Sequence, residues 1–247
     1  MRIIADLHTH TIASGHAYST LKENIDQALR TNLEYYGVSD HTPGMPNTTK
    51  EGYFYNLKVI RERINGIRVL KGAEANILDE RGRVDIPGDI AFRLDYVIAS
   101  LHDLVVDDMG IAANTQAVIR AMTNPCVKII GHPDDSRFPL DYKALALAAK
   151  ATGVALELNN SSLAPHSSRF GGQENAAKML EQCALAGTSV MVGSDSHIWY
   201  DVGEFGCALA LLKKNRFPDN LVINADAARF EAFMKLTGSL KKTSAVA

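Results

Sequence analysis

The chain has 247 residues, 46% of them hydrophobic, and 26 Lys+Arg against 28 Asp+Glu give a formal charge of −2, the profile of one globular domain spanning 1–247. With 18 Gly, 8 Pro and no long polar tract, disordered and collagen-like classes are excluded, and balanced charge without a basic block argues against nucleic-acid binding through many phosphate contacts. No run approaches the about 18 apolar residues of a membrane span, and the start, MRIIADLHTHTIASGH, lacks a secretion signal, so a cytoplasmic protein without membrane contact is expected.

In chain order, short β-branched apolar runs near 2–7, 33–39, 68–75, 95–101, 127–131, 154–159 and 188–194 read as strands, their starts 27 to 35 residues apart. That interval holds a strand, a helix and two short loops. After the first strand, Thr20-Leu-Lys-Glu23 reads as a capping box, and Leu21, Ile25, Ala28 and Leu29 form one apolar stripe. Asp141 caps a helix that Gly153 stops, and Gln173 to Ala186 is another, stopped by Gly187. The last helix falls near 226–236, followed by a tail expected to fray over about 238–247. Seven regular units point to an α/β fold, a closed or nearly closed parallel barrel with outer helices, one unit short of the usual eight. A doubly wound sheet competes, but no GxGxxG follows the first strand.

Cys126, Cys183 and Cys207 stand at irregular spacings that suit core packing better than disulfide or thiolate chemistry. The histidines are more telling. Of the 8, His8, His10, His41, His102, His132 and His197 fall at or just past the carboxyl ends of expected strands, and His16 lies in the first loop. Glu74 closes the third strand and Asp195 stands two before His197. In a parallel barrel these ends share one rim. One histidine at a strand end is usually just hydrogen-bonded, but this many imidazoles and acids on one rim read as a metal centre. The pairs His8/His10 and Asp195/His197, spaced i and i+2, put both side chains on one strand face. Nine such side chains suffice for three divalent ions with three ligands each, leaving open positions and a residual charge of about +4 that attracts a phosphate. Imidazole and carboxylate without thiolate favour zinc, with manganese or iron as alternatives.

Asp6-Leu-His8-Thr-His10, Ser39-Asp40-His41, Gly72-Ala-Glu74, His102, His132 and Gly193-Ser-Asp195-Ser-His197 resemble the PHP (polymerase and histidinol phosphatase) family. The order and spacing, including His16-AYST and Glu157-Leu-Asn-Asn-Ser-Ser162, are most similar to its small bacterial YcdX-type phosphatases, over nearly the whole chain. The resemblance implies a distorted (β/α)7 TIM-like barrel with a trinuclear site. It places His8, His10, Glu74 and Asp195 on a first ion, bridging Glu74 with His102 and His132 on a second, and His16, His41 and His197 on a third. It also implies a homo-oligomer, a trimer. The loops PDDSRFPL after His132 and LAPHSSRFGG over 163–172 give no reading of the substrate.

The expected reaction is hydrolysis of a small phosphomonoester by a hydroxide bridging the first two ions, with Arg169 and the metals neutralising the phosphoryl oxygens. His166 is a second candidate for touching phosphate, Asp6 and Asp40 are candidates for orienting imidazoles through their second nitrogens, and Tyr18 and Trp199 for lining the mouth. The alternatives are a phosphodiesterase or exonuclease on nucleotides, weakened by the balanced charge and the lack of an aromatic and basic strip, and a non-catalytic metal-binding module. A metal-dependent amidohydrolase would need a lysine on the fourth strand, which here ends Ala99-Ser-Leu-His102.

Overall fold

The first strand, β1 (Ala5–Asp6), leads through the helix α1 (Leu21–Arg30) to β2 (Tyr35–Val38). A short α2 (Glu51–Asn56) precedes the hairpin of β3 (Arg63–Ile64) and β4 (Ile67–Asn76), and α3 (Gly88–Ala91) leads to β5 (Tyr96–Ser100). Four regular units follow: α4 (Ile111–Ala121), β6 (Val127–Ile130), α5 (Tyr142–Thr152), β7 (Ala155–Asn159), α6 (Gly172–Ala186), β8 (Val190–Gly193), α7 (Gly206–Lys214) and α8 (Ala227–Ser244). This computed structural model describes residues 1–244, with side chains as far as Lys235.

Among the described residues, seven strands, in the order β1-β2-β4-β5-β6-β7-β8, pair in parallel, and β3 runs antiparallel to β4. The result is a nearly closed α/β barrel, as the repeated units suggest. The seam between β8 and β1 is bridged by a side chain. Buried Asn224 accepts the Val192 N–H at 3.1 Å, donates to the carbonyls of Ala5 and Val192 at 2.8 and 2.7 Å, and its own carbonyl accepts the Ile4 N–H. One amide thus replaces a missing rung, and Ile4, expected in the first strand, is tied to Asn224 instead. Higher up, Thr9 and Ser196 form a parallel bridge.

Alternation along the strands builds two cores. Outward residues such as Val97, Val127, Leu156 and Val192 pack under the helices, while Leu70, Ile98, Ile129, Ala155 and Met191 fill the barrel with Tyr96. The Tyr96 ring needs room from both neighbours: a Cβ at Gly37 or Gly72 would run into it, and its hydroxyl donates to the Leu7 carbonyl at 2.7 Å. Across the strand starts, Phe230 of α8 packs on Tyr35 with ring centroids 4.5 Å apart. Interior positions then change character along each strand, from Leu70 to Glu74, from Tyr96 to Ser100, and from Ala155 to Glu157 and Asn159. The apolar end stabilises the barrel; the polar end faces the rim.

The expected helix signals are all occupied. Thr20 and Glu23 form a reciprocal capping box on α1, Asp141 accepts the N–H groups of Lys143 and Ala144 at the start of α5, and Gly153 and Gly187 end their helices at φ 75° and 68°. The last helix departs from expectation. It runs Ala227–Ser244, well past 236, so the tail expected to fray is helical as far as Ser244, and 245–247 lie outside the described residues. A lone Gly238 without a following proline is too weak a stop signal. Among the described residues, no helix is long and apolar enough to cross a membrane.

Candidate metal centre

The strand ends bring the sequence-predicted imidazoles and acids together. His8 Nε2 lies 3.2 Å from Glu74 Oε2 and 3.5 Å from Asp195 Oδ1, and His10 Nε2 lies 3.4 Å from each. On the other side of Glu74, His102 Nε2 and His132 Nε2 stand 3.2 and 3.0 Å from Oε1. His16 and His197 meet through their Nε2 atoms at 3.0 Å, with the His41 ring 5.0 Å from that of His16. Glu74, 1% exposed, is the hub.

Neighbours dictate which nitrogen of each ring carries a proton. Glu157 is a carboxylate and can only accept, so His8 donates Nδ1–H to Glu157 Oε1 at 2.8 Å. Ser14 gives its hydroxyl proton to Asp40 Oδ1 at 2.7 Å and therefore accepts from His10 Nδ1–H at 3.1 Å. His102 donates Nδ1–H to Asn76 Oδ1 at 2.7 Å, and His197 donates Nδ1–H to the Asp195 carbonyl at 3.1 Å. All four rings thereby present the Nε2 lone pair to the cluster. A lone pair facing a carboxylate oxygen is repulsive unless a cation lies between them.

Buried atoms without a hydrogen-bond partner mark the same place: His8 Nε2, His10 Nε2, His41 Nδ1 and Glu74 Oε2. His41 Nδ1 comes within 2.9 Å of Glu74 Oε2 without hydrogen-bond alignment. Donor atoms around a tetrahedral ion at about 2.0–2.2 Å stand about 3.3–3.6 Å apart, close to the separations around His8 and His10. Potential ligand atoms gather in the triads His8/His10/Glu74, His41/Glu74/His102 and His10/His41/His197. These cut across the three sets implied by the resemblance, because His41 groups with Glu74 as well as with His197.

Electrostatics fit metal ligands. Burial, then His197 and His41, push His10 well below the usual imidazole range, into the neutral form that a cation needs. Burial opposes ionisation of Glu74, but His8, His41 and His102 outweigh it and hold its carboxyl well below the usual range. His8 goes the other way: burial lowers it, yet Glu157, Glu74 and Asp195 together raise it well above an ordinary imidazole, the effect of negative charge that a cation at this position would offset. Two members of the cluster, His132 and Asp195, take positive φ, 29° and 54°, a backbone strain that surrounding contacts must hold.

Arg169 lies on this rim, but its Nη1 is engaged by Asp195 Oδ2 at 2.8 Å and Ser162 Oγ at 3.2 Å. It positions Asp195 as well as facing the cleft of about 380 Å³ that it lines with Arg137, His16, His41, His102 and His197. His166, expected near phosphate, is exposed and outside that cleft, because its loop turns it to solvent. Asp6 was expected to orient an imidazole. Instead it accepts the Ser194 and Gly203 N–H groups at 3.1 and 2.9 Å and fixes the end of β8, burial pushing its carboxyl up to about 6. Asp40 reaches His10 only through Ser14. Tyr18 is 78% exposed and, like Trp199, is not among the residues lining the cleft, because their side chains turn outward from it. The residues that do orient the rings, Glu157, Ser14 and Asn76, carry no distinctive spacing; only the ELNNSS run around Glu157 hinted at a role.

No protein-family profile matches the chain. It is 43% identical to a probable phosphatase of Thermoanaerobacter sp. (strain X514), over 95% of this chain and 96% of that one. It is 41% identical to a probable phosphatase of Clostridium acetobutylicum, over 98% of each chain. Among solved structures, histidinol phosphate phosphatase from Lactococcus lactis, complexed with zinc, L-histidinol and phosphate, shares the fold with a TM-score of 0.61 at 18% identity, covering 88% of this chain and 95% of that one.

Proposed function

The chain belongs to the family of these probable phosphatases and is a phosphoric ester hydrolase; from that premise we propose that it releases phosphate from a small phosphomonoester, with divalent cations held by the imidazole and carboxylate cluster. The carrying observation is the set of four buried, unpartnered atoms facing one another around Glu74. His8, His10, Glu74 and Asp195 would hold one cation, Glu74, His102 and His132 a second, and His16, His41 and His197 a third, in keeping with the PHP resemblance and its YcdX-type members. The histidine-rich set favours zinc over manganese or iron. When bound, the cations would neutralise phosphoryl oxygens and lower the pKa of the attacking water toward ~7.

The chain's own residues supply orientation. Glu157, Ser14 and Asn76 fix three imidazoles as Nδ1–H tautomers, and Arg169 keeps Asp195 Oδ2 so that Oδ1 faces the histidines. Arg169 also faces the cleft, where a guanidinium suits a phosphoryl oxygen. In the net reaction a water oxygen forms the new bond to phosphorus, the ester oxygen leaves, and that oxygen takes up the proton water loses. The cluster borders an open cleft, which suits catalysis better than a closed structural site. We read the chain, 1–247, as one cytoplasmic catalytic domain, trimeric as the resemblance implies. The test is hydrolysis of 4-nitrophenyl phosphate beside bis(4-nitrophenyl) phosphate and a short oligonucleotide. Preference for the monoester is expected; preference for either diester would overturn the reading.

A further inference from the structure

Every barrel strand but one ends in a candidate ligand: His8 and His10 after β1, His41 after β2, Glu74 on β4, His102 after β5, His132 after β6, and Asp195 and His197 after β8. The exception is β7, whose interior positions near the rim are Glu157 and Asn159. We propose that β7 is the bracing strand of the cluster and that Glu157 is a positioning residue joining two cation positions, so that its loss weakens both together. This rests on the metal-dependent reading above.

Each oxygen of Glu157 serves a different side of Glu74. Oε1 accepts His8 Nδ1–H at 2.8 Å, fixing a ring that faces Asp195. Oε2 accepts the His132 backbone N–H at 2.8 Å, holding the residue at φ 29° whose ring faces the other oxygen of Glu74. Oε2 also accepts from Asn159 Nδ2 at 3.0 Å, and the same amide reaches Asp195 Oδ2 at 3.1 Å. Glu157 is 1% exposed, so water cannot replace these bonds. Room for it comes from Gly193, where a Cβ would run into Oε1. Asn76, by contrast, orients the ring of a single candidate ligand, His102.

A glutamine at this position presents one acceptor and one donor. All three protein partners of this side chain, His8 Nδ1–H on one oxygen and the His132 N–H and Asn159 Nδ2 on the other, are donors, so one side must face an N–H group. The charge-preserving alternative is Gly193→Ala, which leaves the carboxylate but takes its space.

The test is titration of the chelator-stripped full-length protein with Co(II), following the visible spectrum of each binding event, for wild type, Glu157→Gln, Gly193→Ala and, as a single-ring control, Asn76→Ala. Glu157→Gln and Gly193→Ala are expected to weaken two events by about 10- to 100-fold, with kcat falling at constant KM in the reloaded enzyme, while Asn76→Ala weakens one. Weakening of a single event, or of none, in Glu157→Gln would overturn the proposal. Should that variant not fold, unchanged cobalt binding by Gly193→Ala would do the same. Wild type that takes up no cobalt would overturn the metal reading itself, a separate result.

Discussion

Protonation in the cluster is set by acceptors lying behind the rings, and side-chain replacements there have sharply different expected effects. His8→Ala or Asp195→Ala removes a group that no neighbour can replace, and kcat/KM on an aryl phosphate should fall by about a thousandfold, or ~4 kcal/mol of transition-state stabilisation. A rate near wild type in either variant would exclude this site. Arg169→Ala should act twice, because Nη1 holds Asp195 Oδ2 while the residue lines the cleft. KM for 4-nitrophenyl phosphate should rise and bound metal should drop, with kcat/KM down by about 10- to 100-fold; unchanged metal content would reduce Arg169 to a substrate contact alone. The nine candidate ligands are legible in the sequence because histidines and acids at strand ends are uncommon. Glu157, Ser14 and Asn76 are not, since their roles depend on which ring the barrel carries to them. Asp6 shows the converse: spaced i and i+2 with His8, it nonetheless binds backbone N–H groups, because strand spacing fixes a side chain's face but not its partner.

Elements were readable where local chemistry is self-contained. Thr20 with Glu23, Asp141, Gly153 and Gly187 bound their helices as expected, because a cap is decided within four residues. Thr20→Ala should therefore cost about 1 kcal/mol, seen as a fall of roughly 2–4 °C in the thermal midpoint with phosphatase activity intact. What escaped the sequence depends on remote partners. The hairpin of β3 and β4 turns on Asn65 and Gly66, at φ 50° and 94°, within a stretch too short to show a periodic pattern. Asn224 carries no local signal in the sequence, yet it joins β1 to β8. Asn224→Ala would leave several buried backbone groups unpaired and should cost about 2–4 kcal/mol in urea unfolding; a loss under about 1 kcal/mol would show that the seam does not depend on it.

At the scale of the whole molecule, the barrel's polar rim is a concentrated set of imidazoles and acids that folding brings together from positions 8 to 197. Cations that bind only this folded arrangement stabilise it by mass action, about 4 kcal/mol at a thousandfold excess over Kd. Stripping them with a chelator should lower the thermal midpoint by roughly 8–16 °C in a chain of this length, and an unchanged midpoint would mean that the cluster does not hold ions. The fold was legible at this scale because seven strands recur at near-constant spacing. The centre's full support was not, because it joins residues that only the closed barrel places together. The most direct measurement is the rate of aryl phosphate hydrolysis by stripped protein as zinc is added back in known equivalents. Turnover should be absent without metal and rise to a plateau at two to three equivalents; full activity in metal-free protein, or none at any loading with zinc, manganese or iron, would rule out metal-dependent hydrolysis at this cluster.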